Sequence, residues 1–210
     1  MKPSETFYAL TGRTYLYNIQ SIFNILSIEE NGILSHKLSC GIQHSDLSNP
    51  DVQGRRDIKS TPFGIKLHEY ANVYFDYWNP MLYILCKHNP RENICILKIS
   101  SEILDIQGCV ISDCNAASGY ARFQSPDSGL NDLEWDLVYA KYWKKSEENE
   151  YSNMHRKSVK CAEVLIPNSV STDFIEGYYV YSDETKDYLI NQGVKKPIEV
   201  RKEYFFLNKE

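Results

Sequence analysis

Lys160-Cys161-Ala162-Glu163-Val164-Leu165-Ile166-Pro167 reads as a short strand with a charge near its head. Successive strand side chains point to opposite faces, so Ala162, Val164 and Ile166 share one side and Glu163 and Leu165 the other. A carboxylate in line with a core leucine has two readings. It is a solvated strand end, or it faces a cavity while its neighbours face a core. A distant arginine pair, in Gln53-Gly54-Arg55-Arg56, and the segments in between bear on that choice.

Further strands are expected at Tyr15 to Ile19, Asn72 to Phe75, Ile94 to Ile99, Cys109 to Ser112, Gly177 to Tyr181 and Ile198 to Arg201, all short and rich in β-branched or aromatic residues. Helical signals are fewer. Ser21 caps a segment to Leu26, Ser101 to Asp105 is a turn, and Asp183 to Gln192 is amphipathic and stops at Gly193. Leu133 to Trp143 is a further candidate. Most strands lack a crossover helix between them, so the class is α+β with a largely antiparallel, split sheet and flanking helices. Ser39 to Lys66 and Asn115 to Tyr151 lack strong periodicity, as functional loops do.

The 210 residues suit one domain, 1–210, and 42% hydrophobic against 24% charged residues is a globular balance. No apolar run approaches membrane length and Met1 to Leu10 is no signal peptide, so a soluble, cytoplasmic protein without membrane contact is expected. The six cysteines form no CxxC or Cys/His ligand pattern and read as reduced, mostly buried residues. A net charge of −5 argues against nonspecific coating of nucleic acid. Locally, though, Lys141, Lys144, Lys145, Arg156, Lys157 and Lys160 interleave with Tyr139, Tyr142, Trp143 and Tyr151. That mixture suits a single strand, whose phosphates take cations and whose unpaired bases take flat faces, or else a solvated helix and loop with inward aromatics.

Neither GxGxxG nor a P-loop, HExxH or nucleophile elbow occurs, and the five histidines are dispersed. In order along the chain stand Gln53 to Arg56, Leu67-His68-Glu69-Tyr70, Asn79-Pro80-Met81-Leu82-Tyr83, Ser112-Asp113-Cys114-Asn115-Ala116, Ala121-Arg122-Phe123, Trp135 to Trp143, Ala162-Glu163-Val164-Leu165 and Tyr181-Ser182. This ordered set resembles the DarT-type nucleic-acid ADP-ribosyltransferases, toxins that use NAD to modify a base in single-stranded DNA.

The resemblance implies a single ADP-ribosyltransferase-like domain that uses NAD as ADP-ribose donor, with no metal. Glu163 matches the family's catalytic glutamate and Arg56 its essential arginine. By the same carry-over Tyr15, Leu16 and Tyr17 hold the nicotinamide amide through backbone groups, Asn24 and Leu34 complete the NAD contacts, and Ser39 to Asp57 covers the cofactor. Asn79, Met81 and Tyr83 are expected to line the base pocket, with Lys157 on the nucleic acid. Expected partners are single-stranded DNA, or RNA in the alternative reading, and a cognate antitoxin such as an ADP-ribosylglycohydrolase. A non-enzymatic NAD-binding or interaction module is the reading from another class. The chain departs from the family pattern where Tyr15-Leu16-Tyr17 stands for a His-x-Thr and where Gly54 precedes the arginines.

Overall fold

The computed structural model describes residues 1–207 of the chain. In chain order the elements are α1 (Pro3–Thr11), β1 (Tyr15–Ser21), α2 (Ile25–Asn31), β2 (Ile33–Leu34), α3 (His36–Ser39), α4 (Pro50–Asp57), β3 (Tyr70–Tyr74), α5 (Pro80–His88), β4 (Ile94–Ser100), β5 (Val110–Ser112), β6 (Phe123–Gln124), α6 (Pro126–Asp132), α7 (Trp135–Val138), α8 (Glu150–Val159), β7 (Glu163–Pro167), β8 (Ser169–Val170), β9 (Ile175–Val180), α9 (Asp183–Asn191) and β10 (Ile198–Val200). Leu133 to Trp143 is too generous a helix: only Trp135–Val138 is helical, and the chain then runs irregularly to Asn149, the cap of α8. The two stretches without periodicity hold helices of their own, α4 in the first and α6 to α8 in the second.

Eight strands form one sheet in the order β10-β9-β4-β1-β3-β7-β5-β6. All its pairings are antiparallel except β9 with β10. The halves meet at β1 and β3 through the pair Tyr17↔Tyr74, whereas β1 pairs with β4 along its full length. A sheet joined so narrowly is the expected split sheet, and its seam leaves room for a cavity.

Burial follows the strand alternation. Leu16, Val73, Leu97, Val164 and Ile166 enter the main core with Phe7 and Ile25. On the opposite face the first half packs Tyr17, Ile19, Ile94 and Ile96 against Leu82 and Leu85 of α5. The second half packs Leu165 and Val110 against Leu67 and Ala116. Glu163 shares a face with Leu165 and sits at the head of β7, between Tyr74 of β3 and Ser112 of β5. It therefore lies at the seam, where the two smaller clusters part.

Two local devices fix the approach to this seam. Lys160, 1% exposed, ends α8 and donates from Nζ to Asp76 Oδ2 at 2.5 Å and to the Val138 carbonyl at 2.7 Å. Burial lowers its pKa and the charge of Asp76 opposes that shift. The pair ties the segment entering β7 to the β3–α5 corner. Gly32 turns the chain from α2 into β2 at φ +74° and ψ −172°, a region open in practice only to glycine, and an added Cβ would run into the Val170 carbonyl oxygen.

Lys160→Met leaves Asp76 as an unpaired buried charge, and urea unfolding is expected to show a loss of about 3–5 kcal/mol. Gly32→Ala combines backbone strain with a steric clash and is expected to cost at least about 1–3 kcal/mol in the same assay.

Candidate active site

Arg56 and Glu163 meet at the floor of a cavity of about 790 Å³. Arg56 Nη1 donates to both carboxylate oxygens, at 3.2 and 3.0 Å, and the two residues are 7% and 1% exposed. A second donor, the Ala116 backbone N–H, makes the third bond, reaching Glu163 Oε1 at 2.9 Å. One ionised acceptor with two charge-assisted or amide donors is held in a fixed orientation.

Each partner is set by local chain chemistry. Asn49 caps α4, accepting from the N–H of Asp51 and Val52, and Pro50 opens the helix with its φ already helical. Arg56 then falls in the last turn. His68 steadies the outer side of α4, its Nε2 3.1 Å from Gln53 Oε1 and its Nδ1 3.4 Å from Asp57 Oδ1. Its ring lies 4.2 Å from that of His36, and burial first, then His36, lowers its pKa. Beyond α4, Lys59 Nζ donates to the Ala116 carbonyl at 2.8 Å and to that of Ser118, so one lysine holds the turn whose N–H meets Glu163. The turn is also tied to α8, where Asn115 N donates to the Ser158 carbonyl and the Ser118 and Ser158 hydroxyls lie 2.9 Å apart.

Tyr74, the register partner of Glu163, lines the cavity, and its phenol pKa is raised by burial and by the charge of Glu163. Cys161 lines it too, but burial and Glu163 push its thiol up to about 12. A thiol held that firmly in its neutral form is no nucleophile. Among the described residues no cluster of histidine, cysteine or carboxylate could hold a metal ion.

On β1 the wall of the cavity is Asn18, Ile19 and Gln20, not Tyr15, Leu16 and Tyr17. Leu16 is core, Tyr17 packs edge-on to Tyr77, and Tyr15 lies under the Lys98 ammonium. Asn18 and Gln20 bond to one another at 2.8 Å, Asn18 reaches the Asn72 carbonyl at 2.8 Å, and Gln20 meets Asn24 at 3.3 Å. Asn24 clasps Ser45 through both backbone groups, at 2.8 and 2.9 Å, so it binds the 39–49 segment to the wall. Asn24 and Leu34 both line the cavity, as do Ser39 and the run from Ser45 to Asn49.

The expected base contacts divide. Met81 lines the cavity with Ile84 and His88, a stripe on one face of α5, and Lys157 lines it with Met154 from α8. Asn79 does not: it is fully buried as the cap of α5, accepting from Leu82 N at 3.0 Å and donating to the Asp76 carbonyl at 2.9 Å. Tyr83 is 42% exposed and packs edge-on to Trp143 and Phe206, away from the cavity. Lys59 and Tyr74 are not singled out by sequence reasoning, and Ala116 only as the end of the Ser112 to Ala116 block, since the folded register alone brings these groups around Glu163.

The geometry is that of a shielded carboxylate and guanidinium at the base of a nucleotide-sized pocket. The chain is 28% identical over 195 residues to a DNA ADP-ribosyl transferase–DNA ADP-ribosyl glycohydrolase fusion protein of Thermosipho africanus, matching 89% of this chain and 46% of that one. It is 26% identical over 210 residues to a DNA ADP-ribosyl transferase of Thermus sp., matching 92% of this chain and 96% of that one. Thus it spans about half of the first relative and nearly all of the second. Among solved structures it is similar to Thermosipho africanus DarTG in complex with ADP-ribose, with a TM-score of 0.79 at 25% identity over 93% of this chain and 52% of that one. Thermus sp. DarT in complex with ADP-ribosylated ssDNA gives 0.77 at 26% identity, over 92% and 96%. Residues 17–206 match the family model described as ssDNA thymidine ADP-ribosyltransferase, DarT, and the chain belongs to that family.

Proposed function

We propose that this protein transfers ADP-ribose from NAD to the thymine base of single-stranded DNA, releasing nicotinamide. The observation that carries this reading is the buried Arg56–Glu163 pair at the floor of the cavity, in a chain that matches the family from residue 17 to 206. The cavity volume suits a ligand of dinucleotide size. The family's description and the ADP-ribosylated ssDNA in the Thermus structure favour DNA over RNA as acceptor.

Breaking the bond from nicotinamide to ribose leaves positive charge on the sugar carbon, and nicotinamide departs with the bonding electron pair. Glu163, fixed by Arg56 Nη1 and the Ala116 N–H, supplies the counter-charge without needing to reorient. Arg56 is the positioning cation, and its guanidinium also suits the NAD phosphates better than an ammonium would. The thymine ring N–H is the acceptor: its nitrogen forms the new bond to the sugar carbon and its proton passes to Glu163, because a guanidinium is a poor base. Asn18, Gln20 and Asn24 offer amide groups to the NAD ribose and nicotinamide from the cavity wall. Met81 and Lys157 face the base and its phosphate.

The natural setting is the cytoplasm, where NAD and DNA meet; among the described residues no helix is long and apolar enough to cross a membrane. A glycohydrolase that removes the mark is the proposed antitoxin partner, since the Thermosipho relative carries the two activities in one chain.

With labelled NAD, wild-type protein is expected to mark thymidine-containing single-stranded DNA and to leave matched RNA unmarked. Glu163→Gln, which keeps the side-chain shape, is expected to reduce the labelling rate at least ~10²-fold. Equal labelling by the variant, or of RNA as readily as DNA, would sink the reading.

A further inference from the structure

The six cations between Lys141 and Lys160 are not one surface. Lys160 is buried in the core against Asp76. Arg156 is held by Glu148 through Nε at 2.6 Å and Nη2 at 2.8 Å, and Lys145 approaches the same carboxylate at 3.6 Å. Lys157 faces the catalytic cavity. Lys141 and Lys144 remain, exposed and with no carboxylate at ion-pair distance among the described residues.

These two lysines border a second hollow of about 500 Å³, lined also by Lys145, Arg156 and one carboxylate, Asp136, on the far side of α8 from the catalytic cavity. The helix links the two: Met154, Lys157 and Ser158 face the cavity, while Arg156 faces the hollow. The direct separation is roughly one helix width, on the order of 10 Å, and a strand that passes around the helix follows a longer path of a few nucleotides. Between the lysines Tyr142 is 64% exposed, with Lys141 Nζ 5.4 Å from its ring centre.

The strip's backbone is tied down while its side chains are left out. Trp78 Nε1 donates to the Lys141 carbonyl at 3.0 Å, and Asn153 holds both backbone groups of Lys145, at 2.7 and 3.0 Å. A surface so ordered loses little entropy on binding. Since the chain as a whole carries −5, a polyanion is held only where cations are gathered and unpaired.

We propose that Lys141, Tyr142 and Lys144 form a flanking subsite for the backbone of single-stranded DNA, a few nucleotides from the target base. The lysines take phosphates and the Tyr142 ring takes a base face. This rests on the single-stranded DNA reading above, whereas the binding assay reads the subsite apart from catalysis.

The test compares K141Q/K144Q with wild type by fluorescence anisotropy, using a thymidine-containing trinucleotide and a long single-stranded oligonucleotide. Neither lysine side chain makes a hydrogen bond that the fold needs. The variant is expected to bind the long strand several-fold more weakly, with a salt slope shallower by about 1.4, which is ~0.7 for each of two phosphates left without its lysine. Trinucleotide affinity is expected to stay within twofold. Unchanged affinity for the long strand, or an equal weakening for both lengths, overturns the subsite. Should wild type bind but label no oligonucleotide, the catalytic reading fails while the length-dependent weakening still supports the subsite.

Discussion

Moving a carboxylate and a guanidinium out of water costs several kcal/mol per ion unless each is matched by charge and hydrogen bonds. Arg56 and Glu163 meet that condition only in company, with the Ala116 N–H completing the carboxylate's shell. The demand spreads outward. The Ala116 turn must be held, which falls to Lys59 and the Ser158 contacts, and Arg56 must be delivered by a short capped helix that His68 steadies. Much of the irregular backbone around the cavity exists to keep this one pair oriented.

A second buried pair serves the first. Lys160 and Asp76 lie three residues before Glu163 and two after Tyr74, so they clamp the strand ends that flank the carboxylate. Asp76 also lends its carbonyl to Asn79, whose other contact starts α5, and α5 in turn presents Met81 to the cavity. Charge burial, helix capping and pocket shape are thus one connected structure rather than three.

The legible parts of the chain are those ruled by period-two alternation. The strands around Tyr15, Asn72, Ile94 and Glu163 fall close to where the pattern puts them, and Val164 and Leu165 do face opposite cores. Helices opened by proline escape the pattern at α1, α4, α5 and α6 because their apolar stripes are short, yet Asn49-Pro50 and Asn79-Pro80 each spell a cap followed by a first helical residue. Reading Asn79 as a cap accounts for its absence from the cavity lining. The offset on β1 has a similar cause: polar Asn18 and Gln20 in an apolar strand mark the cavity-facing positions better than the tyrosines before them. Lys59, Tyr74 and the role of the Ala116 N–H are illegible for a different reason, since they depend on long-range register and no local pattern carries it.

Arg56 and Glu163 stand 107 residues apart in sequence, and the strands that unite them pair across similar distances. Contacts of such range form late, because loop closure must precede any gain from pairing. During synthesis the N-terminal half emerges with its arginine but without its carboxylate, and β9, which flanks β4 at the outer side of the sheet, follows later still. The buried pair is accordingly absent until synthesis has passed β7. No nascent or truncated product ending before β7 carries both Arg56 and Glu163.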